Sequence, residues 1–119
     1  MMKLNTITIA VTDMERTIAF YRAIAQLKVI RRFNPGQGEI AFMADREGDT
    51  ALEFIQRPEL EPVRATGLTL RFQTRGALEA LREQAFAMGY APSPIQSQPP
   101  KPVHFTVTDP NGLRVEFSK

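Results

Sequence analysis

The chain has 119 residues, 24% of them charged, with no cysteine, no tryptophan and one histidine, His104. That length is one domain's worth of polypeptide. The counts exclude a disulfide framework, a zinc finger, an iron–sulfur cluster, a thiol nucleophile and any metal centre needing two histidines from one copy of the chain.

The formal charge is +2, from fifteen Lys+Arg against thirteen Asp+Glu. Eleven of the basic residues are arginine, scattered along the chain rather than gathered in a stripe, so no nucleic-acid partner is expected. No apolar run approaches the ~20 residues of a membrane span, and no membrane partner is expected. The start, Met1-Met2-Lys3-Leu4-Asn5, lacks the apolar core of a secretion signal. Together with the lack of cysteine, this makes a cytoplasmic protein the expectation.

From Leu4 onward Ile7, Ile9 and Val11 alternate with Thr6, Thr8 and Ala10, the period of a strand with one buried face. Thr12 and Glu15 then stand at capping-box spacing. Met14, Ile18, Tyr21 and Ala25 fall on one helical stripe, which predicts a helix of about thirteen residues. Strands follow at Lys28 to Phe33, Glu39 to Ala44 and Ala51 to Ile55, with turn clusters at Asn34-Pro35-Gly36-Gln37-Gly38 and Asp45-Arg46-Glu47-Gly48-Asp49. Ile40, Phe42 and Ala44 share a face, and Leu52 and Phe54 oppose Glu53.

Residues 58–66 carry Pro58 and Pro62, have no apolar period, and read as a linker. Beyond them Leu68, Leu70 and Phe72 alternate with Thr69, Arg71 and Gln73. Thr74 is a candidate cap for a helix from Ala77 to Met88, buried along Leu78, Leu81, Ala85 and Met88 and closed by Gly89. The segment Pro92 to Pro102 holds five of the nine prolines, and reads as a stiffened connection or as a rim over a site. Val103, Phe105 and Val107 alternate with His104 and Thr106. Asp109-Pro110-Asn111-Gly112 is a tight turn, and Leu113, Val115 and Phe117 form a closing strand.

The second half repeats the first. A shift of 63 residues lays Thr6 on Thr69, Phe42 on Phe105, Glu53 on Glu116 and Phe54 on Phe117. Shared order and a shared offset predict a duplicated β-α-β-β-β unit, residues 4–57 and 67–118 of one α+β domain.

Two stretches, Thr6-Ile7-Thr8-Ile9-Ala10-Val11-Thr12-Asp13-Met14-Glu15-Arg16-Thr17-Ile18-Ala19-Phe20-Tyr21 and Asp109-Pro110-Asn111-Gly112-Leu113-Arg114-Val115-Glu116-Phe117, resemble the first strand and helix and the closing hairpin of the vicinal oxygen chelate superfamily, which holds glyoxalase I, bleomycin-resistance proteins and ring-cleaving dioxygenases. The resemblance implies two βαβββ units forming curved mixed sheets around a central cavity. It also implies a homodimer. Metal-dependent members place a histidine or another donor on the first strand of each unit and a glutamate on the fourth. The matching positions here are Thr6, Glu53, Thr69 and Glu116. Both carboxylates remain, and both histidine positions are threonine.

A threonine hydroxyl is a weak donor to a transition ion beside imidazole. The expected cofactor is therefore none, the alternative being a hard divalent metal such as Mg²⁺ or Mn²⁺ between Glu53 and Glu116. Period two turns both glutamates away from the helix-packed core. Thr6, Thr8, Thr69, Arg71, Gln73, His104, Thr106, Arg114 and Ser118 share that face. The candidate ligand set is Thr6, Thr8, Glu53, Thr69, Arg71, His104, Arg114 and Glu116. On the structural side, Arg71 and Arg114 are the candidate ion-pair partners of the two carboxylates, and His104 is equally a packed residue. Phe33, Met43 and Ile55 are candidates for an apolar wall or for core.

The leading expectation is a small-molecule-binding protein that needs no metal. The alternative is a glyoxalase-like lyase or isomerase using Glu53 and Glu116. A third reading is a non-catalytic module with a filled interior.

Overall fold

A computed structural model describes residues 1–119 and divides them into two compact units, Met1–Val63 and Arg64–Lys119. In the first, the elements run β1 (Thr6–Ala10), α1 (Met14–Ala23), β2 (Lys28–Phe33), β3 (Glu39–Ala44) and β4 (Ala51–Gln56). The sheet order is β1-β4-β3-β2, with β1 parallel to β4 and the other pairs antiparallel. Two adjoining strands can be parallel here because the chain between them, through α1, β2 and β3, supplies the long crossover that such a pair needs.

Paired residues of neighbouring strands share a face, so the register sorts the side chains. Ile9, Phe54 and Ala41 make one helix-side row, and Ile7, Leu52 and Met43 the next. Met14, Ile18 and Tyr21 of α1 close over this side, with the Tyr21 ring 5.0 Å from that of Phe54. Arg32 of β2 also points to the helix side, where it pairs with Glu15 of α1 and, at 2.7 Å, with Glu39. That contact holds the Glu39 carboxyl below the usual carboxylate range.

The start of α1 differs from the capping box predicted at Thr12. Asp13 is the N-cap, and its carboxylate accepts the Arg16 N–H at 3.0 Å. Both residues are good caps by type, but with Asp13 in the role Glu15 comes too early in the helix to reach back, and it turns to Arg32 instead. The helix ends at Ala23, short of the predicted thirteen residues. Gln26 adopts a left-handed φ of 59°, and the Leu27 N–H donates to the Tyr21 carbonyl at 2.9 Å.

The second unit contains β5 (Thr69–Gln73), α2 (Leu78–Ala87), β6 (His104–Thr108) and β7 (Arg114–Ser118), with sheet order β5-β7-β6. Its helix side is packed from Leu70, Phe105, Val107, Val115 and Phe117 against Leu78, Leu81 and Ala85 of α2. Ala77, not Thr74, occupies the N-cap of α2 and offers no side-chain acceptor. Thr74 instead accepts the Gly76 N–H at 3.0 Å and closes a local turn. Gly89 does terminate the helix. Its φ is +91°, its N–H meets the Phe86 carbonyl, and the Tyr90 N–H meets the Ala85 carbonyl, the paired bonds of a Schellman motif.

The predicted repeat holds with two adjustments. The second unit's order is β-α-β-β, where the first has β-α-β-β-β, and the place of a further edge strand beside β6 is taken by the proline-rich segment. Ser93 donates to the Thr106 carbonyl, and Gln96 and His104 exchange backbone bonds as an isolated bridge. Prolines 92 and 94 have no N–H to give, which limits the pairing to these points. Second, Phe54 and Phe117 keep the offset of 63, but Phe42, cross-strand partner of Glu53, corresponds to Thr106, partner of Glu116, and not to Phe105. The connection over residues 109–113 is one residue shorter than that over 45–50, so β6 is offset by 64. No helix is long and apolar enough to cross a membrane.

Candidate functional site

Each unit leaves one sheet face away from its helix, and the candidate residues stand there. In the first unit, Thr8, Glu53, Phe42 and Arg31 form a single cross-strand row, flanked by the row of Thr6 and Ala51 and by that of Ala10, Ile55, Ile40 and Phe33. In the second, the rows are Thr69, Arg114 and Thr108, then Arg71, Glu116 and Thr106, then Gln73, Ser118 and His104. Period two thus separates the polar set from the core, as alternation along β5 and β7 indicates.

The two glutamates occupy equivalent places and have different surroundings. The Thr8 hydroxyl donates to Glu53 Oε1 at 2.8 Å, and no cation lies within ion-pair distance of that carboxylate. Glu116 is buried, with a side-chain exposure of 1%, and each of its oxygens carries a cation. Arg71 Nε donates to Oε2 and Lys101 Nζ to Oε1, both at 2.7 Å. Burial pushes the Glu116 carboxyl up, but Lys101 and then Arg71 outweigh it, and the group is held below the usual carboxylate range.

The direct cross-strand neighbours of the carboxylates are therefore Thr8 and Arg71, while Thr6 and Thr69 sit one row further along. Arg114, expected as an ion-pair partner, is exposed and makes no salt bridge. His104 is 2% exposed, and its Nδ1 lies 2.8 Å from the Pro102 carbonyl, an anchoring contact for the turn before β6. Met43 is fully buried on the helix side and is core. Phe33 and Ile55 do stand on the open face. Phe42 belongs to the open face as well, beside Glu53. The Arg31 guanidinium lies 4.5 Å from the Phe33 ring centre.

Lys101 had no sequence signal, since it lies in a segment without period. The structure delivers it through a turn closed by the Lys101 N–H and the Gln98 carbonyl at 2.9 Å. That segment is tied to α2 as well, where Arg82 Nε donates to the Ser93 carbonyl at 2.7 Å. The proline-rich stretch is thus an anchored sheet edge that carries a cation to the open face.

A divalent ion needs carboxylate oxygens free to coordinate it. Both oxygens of Glu116 already hold nitrogen cations, so the donors at this position do not fit a metal. No three His, Cys, Asp or Glu side chains come together anywhere in the structure to hold one. Concave ground adjoins each open face. A hollow of about 370 Å³ in the first unit is lined by Thr6, Ile30, Arg31, Phe42, Ala44 and Ala51 among others. One of about 400 Å³ in the second includes Thr69, Thr106, Thr108 and Arg114.

Two mixed sheets, each backed by one helix and carrying a glutamate at the same place on its open face, define a duplicated α+β protein of the glyoxalase-like type. The chain belongs to the Glyoxalase/Bleomycin resistance protein/Dioxygenase superfamily, whose profile matches residues 3–117. Solved structures agree at the level of fold. Trypanothione-dependent glyoxalase I of Leishmania major is 18% identical with a TM-score of 0.78, over 100% of this chain and 87% of that one. A glyoxylase/bleomycin resistance protein/dioxygenase domain from Frankia sp. EAN1pec is 18% identical with a TM-score of 0.77, over 99% and 97%. TnmS3, an antibiotic-binding protein from Streptomyces sp. CB03234, is 17% identical with a TM-score of 0.71, over 99% and 95%. No curated protein matches the sequence.

Proposed function

We propose that this protein binds a small organic molecule on its open sheet faces and needs no metal ion to do so. One observation carries the reading: Glu116, at a position where metal-dependent relatives supply a ligand, is already neutralised by Lys101 and Arg71. A metal there would have to displace two fixed cations from a buried carboxylate. The threonines at positions 6 and 69 support the same conclusion, since neither replaces an imidazole.

The ground beside the carboxylates suits an organic ligand. The hollow in the first unit falls within the ~300–1,000 Å³ of small-molecule sites. Phe42 supplies an aromatic wall and Thr6 and Arg31 supply polar groups to fix orientation, with Thr8 and Glu53 in the same cross-strand row as Phe42. An antibiotic-binding relative of the same fold supports a binding role.

Thermal denaturation with a library of drug-sized compounds, in the presence and absence of a chelator, tests this. A ligand that binds the folded state alone raises the melting temperature, since it stabilises that state by about 2.7 kcal/mol at a hundredfold excess over Kd. Stabilisation that survives the chelator is the expected result. Stabilisation only by Mg²⁺, Mn²⁺, Ni²⁺, Zn²⁺ or Fe²⁺, or ligand binding that the chelator abolishes, would overturn it in favour of a metal-dependent lyase or isomerase.

A further inference from the structure

The open face of the second unit carries Lys101, Arg71 and Arg114 against one carboxylate, Glu116. A buried carboxylate holding two cations is more than an internal neutralisation. After one charge is matched, the Lys101–Glu116–Arg71 cluster keeps a net charge of +1. It also keeps most of its hydrogen atoms for donation, since an ammonium has three N–H groups and a guanidinium five, and one of each lies on Glu116. The side chains of Lys101 and Arg71 are 37% and 52% exposed, so the remaining donors are open to a ligand while Glu116, at 1%, is not.

These cations are also held in place. Glu116 fixes both heads at 2.7 Å, and the Lys101 backbone is set by its turn to Gln98 and by the Gln96–His104 bridge. Donors already oriented lose little freedom on binding. Charge-assisted bonds from such donors to a carboxylate are about twice as strong as neutral ones. Thr106, in the same row as Glu116, adds a hydroxyl beside them.

We propose that the Lys101–Glu116–Arg71 cluster binds the carboxylate of a small organic anion. Glu116 acts as a positioning residue, and the ammonium and guanidinium supply the fixed positive charge. This rests on the small-molecule reading above and gives the open face of the second unit an anion as its ligand.

The test uses three probes with the same ring, benzoate, benzamide and benzylammonium, titrated into the full chain and followed by amide chemical shifts. Benzoate is expected to shift the amides of Arg71, Lys101 and Thr106 saturably. The other two should bind there at least about tenfold more weakly. Lys101→Gln should weaken benzoate by about tenfold, and Lys101→Arg by no more than about threefold. Should Lys101→Gln fail to fold, the salt dependence decides, because benzoate binding should weaken as sodium chloride is raised.

Equal binding of benzamide, benzoate binding untouched by Lys101→Gln and by salt, or no shifts at these amides would each overturn the proposal. Saturable binding of benzamide or benzylammonium elsewhere, with no benzoate binding at these amides, would do so while leaving the small-molecule reading intact. A library with no stabilising compound at all would instead remove that reading itself.

Discussion

Replacing Glu116 by glutamine keeps the side chain's size and removes its charge. Lys101 and Arg71 then lose a charged acceptor but can turn partly to water, since both are about a third to a half exposed. Hydrogen bonds to charged groups contribute about 1.5–3 kcal/mol each. Solvent screening of the two cations and relief of the carboxylate's desolvation reduce that, so the expected loss at pH 7 is about 1–2 kcal/mol. The loss should depend on pH in a fixed direction. The folded carboxyl titrates below its ordinary value, while the unfolded one titrates near pH ~4.3. Its stabilisation is therefore complete above the unfolded value and disappears as pH falls through that value and then through the folded one. Urea unfolding of both proteins from pH 7 down to about pH 3 measures the difference, which should shrink toward acid. Lys101→Met should cost about 1 kcal/mol in the native background and close to nothing in Glu116→Gln. A variant as stable as the native protein at pH 7, or a loss that does not change with pH, would refute the view that the two cations outweigh the burial of this carboxylate.

Three further pairs of substitutions test the local structure by urea or thermal unfolding. Asp13→Ala removes the N-cap acceptor of α1 and should cost about 1 kcal/mol, while Thr12→Ala should change stability by under about 0.5 kcal/mol. Gly38→Ala should be far worse than Gly48→Ala. Both glycines have positive φ, but a Cβ at Gly38 would lie 2.1 Å from the Gln56 carbonyl oxygen, whereas one at Gly48 meets nothing within 4 Å. The second change should cost about 1 kcal/mol of backbone strain, and the first should prevent normal folding. Phe54→Ala should cost about 3–5 kcal/mol, because the ring is fully buried against Tyr21. Phe86→Ser, at a site 68% exposed, should stay within about 0.5 kcal/mol.

What could be read from the sequence was whatever period two and turn chemistry encode. The bounds of β2 and β3 match the prediction because alternation and flanking turn residues agree there. The polar faces of β5, β6 and β7 were legible for the same reason. Thr12 was misread because two good capping residues adjoin, and the choice between them depends on where the chain enters the helix. Glu15 followed from that choice, since its partner Arg32 is a long-range neighbour with no local trace. Met43 could not be told from Phe42 until the register showed which of the two shared a row with Glu53. Lys101 was invisible because prolines suppress periodicity, and only the paired backbone at Ser93 and Gln96 shows that the segment has a fixed course.

The duplicated units show how one scaffold position can acquire two chemistries. Parallel pairing fixes the partner of each fourth-strand glutamate as the first-strand residue in the same row, Thr8 for Glu53 and Arg71 for Glu116. With a hydroxyl there the carboxylate keeps its charge unmatched, whereas with a guanidinium there, and Lys101 brought in from outside the row, it becomes a buried anchor for cations. The third member of the row differs in the same sense. Phe42 places an aromatic surface beside the unpaired glutamate, and Thr106 a small polar one beside the neutralised glutamate. One open face therefore carries an unpaired glutamate among aromatic rings, and the other is cationic and polar. The backbone that aligns the rows is common to both, so their chemistry can be altered row by row without disturbing the helix-packed sides that stabilise each unit.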